Sequence, residues 1–207
     1  MDDYNISLPK ASLAEMPTEV FPGQIAVIES AEGADNAVEY LMAHPLVGFD
    51  TETRPSFHKG QVNVVALMQV STDDRAFLFR LNKTGITPAM KTFIESPDIT
   101  KIGLSLKDDF TMLRRRGNIE PQGFVELQKL VHEYHITDAS LQKIYGIVFG
   151  KRISKSQRLT NWEAKSLTRP QQLYASLDAW ACLQIYRELT SGKYHPADSP
   201  YRTAASE

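Results

Sequence analysis

Leu46-Val47-Gly48-Phe49-Asp50-Thr51-Glu52-Thr53 begins as an apolar run and ends on two acids spaced two residues apart. Following the His44-Pro45 break, its first four residues read as a strand entering a core. In an extended chain residues i and i+2 point to the same side, so the Asp50 and Glu52 carboxylates lie side by side and repel one another unless a cation sits between them. A strand that has ended, with both acids facing water, is the bland reading of the same pair, and the pair alone does not choose.

On the N-terminal side, a β-rich run at 24–29 precedes a segment from Gly33 with Ala37, Val38, Leu41 and Met42 at helical spacing. On the C-terminal side, 62–70 and 76–79 are apolar, β-branched or aromatic and flank the turn-like Thr72-Asp73-Asp74, which predicts a hairpin. Helical periodicity then dominates at 88–95, 106–116, 125–134, 139–149 and 170–189, with 99–104 the one further strand. A chain rich in β first and α later predicts a mixed α/β or α+β domain, a central sheet with helices on its faces. Neither Gly-x-Gly-x-x-Gly nor a Gly-Lys-Ser/Thr loop is present, which excludes the common nucleotide cradles. The expected boundaries are a domain over 23–192, an irregular arm over 1–22 punctuated by Pro9, Pro17 and Pro22, and a flexible tail over 193–207.

Two further acidic sites stand out. Asp108-Asp109 opens the helical run 106–116 just after Lys101-Ile102-Gly103-Leu104, where a first-turn acid is favoured by the helix dipole and where α/β sheets also present ligands. Within 170–189, Tyr174 and Asp178 are four residues apart, which places a phenol and a carboxylate one turn apart on the same helical face.

Taken in order, Phe49-Asp50-Thr51-Glu52-Thr53, then Gly103 leading to Asp109 and Leu113, then Tyr174 through Asp178, the chain resembles the DEDD 3′-5′ exonucleases, in particular the Werner-type domain of the RNase D-like group. The resemblance runs from about Phe21 to Leu189 and takes in the strand around Met68 and Thr160-Asn161-Trp162. Leu173 stands where the histidine branch carries its His, so the match is to the tyrosine branch. The family interval selects Asp109 over Asp108, and Glu126, where many relatives have Asp, bears only on local capping. The resemblance implies a ribonuclease H-like fold with a central mixed sheet of five to six strands. It also implies hydrolysis from a 3′ end that releases nucleoside 5′-monophosphates. Two divalent cations, Mg²⁺ or Mn²⁺, would be held by Asp50, Glu52, Asp109 and Asp178, with Asp50 bridging, Glu52 and Asp178 on the nucleophile side and Asp109 holding the second ion through water. Oxygen-only ligands suit such hard cations. Tyr174, whose ordinary pKa is near ~10, is a poor base at neutral pH and is expected to orient the attacking water.

Candidate contacts to a DNA or RNA strand are the basic stretch Lys151, Arg152, Lys155 and Arg158, with Arg114, Arg115 and Arg116 as a second cluster, both of which also read as solvated positive faces, Trp162 and Met68 as stacking or wedging side chains that read as core packing first, and His58 and Lys59 after the first acidic pair. RNase D-like trimming of structured RNA and a non-catalytic nucleic-acid scaffold are the competing readings. The formal charge of −2, from 23 basic and 25 acidic residues in 207, lacks the basic excess of many nucleic-acid binders. Two divalent cations would bring it to about +2, so it does not weigh against that partner. The lone Cys182 excludes an internal disulfide and a Cys-rich zinc site and is expected to be packing. No signal-like or membrane-spanning run is visible, so the expectation is a cytoplasmic protein, nuclear if eukaryotic, with any helicase or polymerase partner acting in trans and no oligomeric interface specified.

Overall fold

The structure, a computed structural model, describes residues 4–56 and 63–204. Its elements are, in order, β1 (Tyr4–Ile6), α1 (Lys10–Glu15), β2 (Gln24–Ile28), α2 (Ala31–Met42), β3 (Leu46–Thr53), β4 (Val65–Ser71), β5 (Arg75–Arg80), α3 (Leu81–Thr84), α4 (Pro88–Glu95), β6 (Thr100–Gly103), α5 (Leu106–Arg116), β7 (Phe124–Glu126), α6 (Leu127–His132), α7 (Leu141–Phe149), α8 (Arg169–Thr190), a 3₁₀ turn (Pro196–Asp198) and β8 (Arg202–Ala204). Six strands form one mixed sheet in the order β2-β5-β4-β3-β6-β7, and β4 runs against the other five. The expected mixed α/β architecture is the one observed.

Each face of the sheet has its own core. Phe49, Met68, Val70, Phe77 and Phe79 pack with α2, α4 and α5 on one side, where Leu106 and Leu113 anchor α5. On the other, Ala175, Leu177, Ala181, Cys182 and Ile185 of α8 pack with residues of the sheet, α6 and α7. Helix α8 lies directly against β3 because Gly48 has no side chain. A Cβ there would collide with the Ala179 carbonyl, so this glycine sets the depth at which the last helix docks. The same helix starts on a full capping box, with Gln171 N–H donating to Thr168 Oγ1 at 3.3 Å and Thr168 N–H to Gln171 Oε1 at 3.0 Å.

Three sequence expectations need correction. The run 125–134 was expected to be wholly helical, yet its start belongs to β7, a three-residue parallel edge strand beside β6. Its helical periodicity comes from Leu127, Leu130 and Val131 of the short α6 that follows at once. The expected strand ending at Phe49 continues to Thr53, with a register shift at Glu52/Thr53, so both acids lie inside paired strand. The described parts of the arm and tail, 4–22 and 193–204, are also packed: β1 and β8 pair antiparallel, Tyr4 opposite Ala204, and Ile6, Leu8 and Phe21 are buried. Their prolines bound short elements that cover the second core. Among the described residues, no helix is long and apolar enough to cross a membrane.

Candidate active site

Strand alternation puts Asp50 and Glu52 on the Gly48 face of β3, towards α8. The deep seat of α8 then brings Asp178, buried in its middle, up to them. One carboxylate oxygen from each of Asp50, Glu52 and Asp178 lies within 4.8 Å of the others. Asp109 arrives from α5 on the opposite face. Thr51, whose side chain points to that face, donates a short hydrogen bond to Asp109 Oδ1 and fixes it at the edge of the cluster. Of the two adjacent acids, Asp108 is exposed and Asp109 is the one held against β3.

Charge is concentrated here against its own repulsion. Withdrawal from water, together with the Asp109, Asp178 and Glu52 carboxylates, raises Asp50 well above the usual carboxylate range. Burial, Asp178 and Asp109 push Glu52 up to about 9, although Arg158 opposes this. Burial also raises Asp109 to about 6, against the Thr51 hydrogen bond, and Asp178 to about 7, against the Tyr174 hydrogen bond and Lys155. Carboxylates forced together in this way either share protons or bind a cation. With oxygen donors alone, the set fits a hard divalent ion.

Tyr174 sits one turn before Asp178, as its spacing predicts, and lines the same cleft as that carboxylate. Burial and the surrounding acids raise the phenol above its ordinary value. Lys155 joins Asp50, Tyr174 and Asp178 in a cleft backed by Leu104, Leu141, Gln142, Ile153 and Cys182. On the other side of the acids, Arg158 and Leu159 share a second concavity with Thr51, Glu52, Asp109 and Met112. One loop therefore supplies an exposed cation to each flank of the carboxylate cluster.

The remaining candidate contacts are arranged differently. Trp162 is fully buried and packs at a tilt on Tyr174, with ring centroids 6.0 Å apart, so it backs that tyrosine and is closed to a base. Met68 is fully buried opposite Thr51 in the first core and is equally closed to a base. Lys151 is paired with Glu19 at 2.8 Å, and Arg152 Nε donates to the Met16 carbonyl at 3.0 Å. Arg116 donates to the backbone carbonyls of Val65 and Leu81 and holds α5 to the sheet. Arg114 is paired with Glu120 at 3.4 Å. His58 and Lys59 lie outside the described residues.

Gly48, Thr51 and Gln69 escaped the sequence reading. The glycine interrupting an apolar strand was the available signal for close backbone approach. Gln69 pairs with Asp50 across β3 and β4, fully buried, with neither amide atom hydrogen-bonded. Glu126 does cap locally. Its carboxylate accepts from the backbone N–H groups of Ser105 and Leu106 at 2.9 and 2.8 Å and from Gln128 N–H at 3.0 Å, so it holds the start of the helix that carries Asp109.

A four-carboxylate cluster with a tyrosine one turn away, on a mixed sheet of this order, invites comparison with known proteins. The chain is 30% identical over 185 aligned residues to the bifunctional 3′-5′ exonuclease/ATP-dependent helicase WRN of Mus musculus, covering 84% of this chain and 13% of that protein. It is 28% identical over 198 residues to a 3′-5′ exonuclease of Arabidopsis thaliana, covering 88% of this chain and 69% of that one. The fold matches the Nibbler EXO domain of Aedes aegypti with a TM-score of 0.72 at 22% identity, over 84% of this chain and 93% of that one. RNase D of Escherichia coli, an exoribonuclease involved in structured RNA processing, matches with a TM-score of 0.74 at 21% identity, over 81% of this chain and 44% of that one. The 3′-5′ exonuclease family model matches residues 25–192, a span that contains all four carboxylates and the tyrosine, and the chain belongs to that family.

Proposed function

We propose that this chain removes nucleotides from the 3′ end of a DNA or RNA strand, releasing nucleoside 5′-monophosphates, with Mg²⁺ or Mn²⁺ as cofactor. The carrying observation is the convergence of Asp50, Glu52 and Asp178 oxygens within 4.8 Å, with Asp109 held alongside by Thr51. Asp50, Glu52 and Asp178 would hold one cation, and Asp50 with Asp109 the second. When bound, such ions acidify water and neutralise charge on the transferring phosphate and departing 3′ oxygen.

The chain's own groups do the rest. With its pKa raised, Tyr174 keeps its proton and is no general base. Lining the same cleft as Asp50 and Asp178, its phenol hydrogen-bonds the attacking water and fixes the direction of approach. Lys155 and Arg158, exposed on opposite flanks of the acids, neutralise backbone phosphates on either side of the scissile bond. Trp162 limits rotation of the tyrosine from behind.

The test uses purified protein and 3′- or 5′-labelled DNA and RNA strands, single and double, with Mg²⁺, Mn²⁺ or EDTA. Stepwise loss from the 3′ end, abolished by EDTA and by Asp50→Ala or Asp178→Ala, is expected. Binding of strands without degradation in any metal would replace this reading with the scaffold one, and degradation confined to folded RNA would make it an RNase D-like trimming enzyme. In this reading the chain works in the cytoplasm, or in the nucleus if eukaryotic, and a helicase or polymerase would act with it in trans.

A further inference from the structure

The loop that carries Lys155 and Arg158 is not held by the nuclease core alone. At its start, Glu19 Oε2 accepts from Lys151 Nζ at 2.8 Å and from the Tyr145 hydroxyl at 2.9 Å. Glu19 N–H donates to the Arg152 carbonyl at 2.9 Å, and Arg152 N–H donates to the Pro17 carbonyl at 2.9 Å. Thr18 and Arg152 form a parallel bridge, and the Arg152 guanidinium holds Met16. From the other side, the Gln142 amide of α7 donates to the Ile153 carbonyl, and Ile153 is buried. Residues 151–153 are thus clamped between the segment 16–19 and α7, and Lys155 and Arg158 follow within five residues of the clamp. Residues 18–21 also line a groove with Ser154, Gln157 and the catalytic-face Tyr174. The whole clamping segment precedes residues 25–192, the span matched by the family model.

We propose that Glu19 is a positioning residue for substrate engagement: through Lys151 and Tyr145 it pins the base of the 150–158 loop, so that Lys155 and Arg158 are presented to the strand on both flanks of the carboxylates. Lys151 and Arg152 are then anchors rather than phosphate contacts. The proposal rests on the exonuclease reading for its kinetic arm and on geometry alone for its structural arm. The Glu19 side chain is 15% exposed and that of Lys151 47%, so the carboxylate end of the pair is shielded while the ammonium meets solvent.

Amide hydrogen exchange and steady-state kinetics on the full chain test this, with Glu19→Ala, Glu19→Gln, Lys151→Ala and the Glu19/Lys151 double variant. Faster exchange confined to 150–158 is expected in Glu19→Ala, with KM for the strand raised about threefold and kcat held, the size of one partly shielded ion pair. Glu19→Gln, which keeps acceptor oxygen for Tyr145 and Lys151, recovers part of the loss. Lys151→Ala gives the same pattern at smaller size, because the Tyr145 hydroxyl still holds Glu19, the double variant is no worse than Glu19→Ala, and the salt dependence of binding keeps its slope. A Lys151→Ala variant that lowers the salt slope by about one while Glu19→Ala is silent would make Lys151 a phosphate contact and overturn the proposal. Exchange that rises uniformly along the chain, with kcat falling alongside, would reduce Glu19 to general stability and overturn it too. Should the wild-type protein degrade no strand, the exonuclease reading fails, and the exchange arm still decides whether Glu19 holds the loop. Should Glu19→Ala not fold, Lys151→Ala carries both arms.

Discussion

Tyr174 and the four acids illustrate two opposite uses of the same burial. For the phenol, burial guarantees a proton at any working pH, so Tyr174→Phe should lower kcat about a hundredfold, through lost orientation, without moving the basic limb of the pH profile below pH 9. For the acids, burial is a cost. Asp50→Asn or Asp178→Asn should abolish metal-dependent hydrolysis while raising the metal-free Tm by about 2–4 °C, a gain of about 1 kcal/mol, read by thermal denaturation in EDTA. Folded Asp109, Asp178 and Glu52 sit at about 6, 7 and 9, above their ordinary values, so the folded chain keeps protons that the unfolded chain has released. Their contribution is complete below the ordinary carboxylate range and is lost as pH climbs through 6 to 9. The metal-free Tm should therefore fall between pH 5 and pH 9, and saturating Mg²⁺ should raise Tm more at the alkaline end. A larger gain at the acidic end would contradict the cluster's role as a cation site.

Helix α8 and strand β3 form the pair on which the geometry depends, and Gly48 is their contact. Gly48→Ala should lift α8 from β3, cost about 1–3 kcal/mol by overpacking and remove activity by drawing Asp178 away from Asp50, all visible as a lower Tm with intact helical circular dichroism. Glu126→Ala should cost about 1 kcal/mol and weaken activity through the loosened start of α5, and Glu126→Gln should recover part of it. Long periodic elements were legible because the pattern that makes them fold is local: α4, α5 and α8 lie within one residue of their expected ends. β7 was not, because three residues on a sheet edge, followed at once by Leu127, Leu130 and Val131, carry no period of their own. That Asp50, Glu52, Asp109, Tyr174 and Asp178 belong together was legible from the resemblance carried by their order along the chain, since each spacing alone reads equally as a strand end, a helix cap or a surface pair. Lys151 and Arg152 could not be told apart from Lys155 and Arg158, since a basic residue reads alike whether its partner is a phosphate, Glu19 or a backbone carbonyl. Trp162 and Met68 carried two readings for a related reason: a large apolar side chain suits a base or a core, and the tertiary structure places both in the core.

At the level of the molecule, the segments 4–21 and 193–204 pack as part of the domain. Ile6, Leu8 and Phe21 are buried against the second core. A protein cut back to 25–192 should be less stable than the full chain by about 5 kcal/mol, the burial worth of three large apolar side chains, as measured by denaturant titration. It should also lose the anchored state of the 150–158 loop. The pairing of β1 with β8 places Tyr4 directly opposite Ala204, the spacing of adjacent antiparallel strands, about 5 Å. An entrance and an exit so close together make the domain a cassette. It can be spliced into a surface loop of another protein, or its ends joined by a few glycines and new ends opened elsewhere, without stretching any part of the sheet.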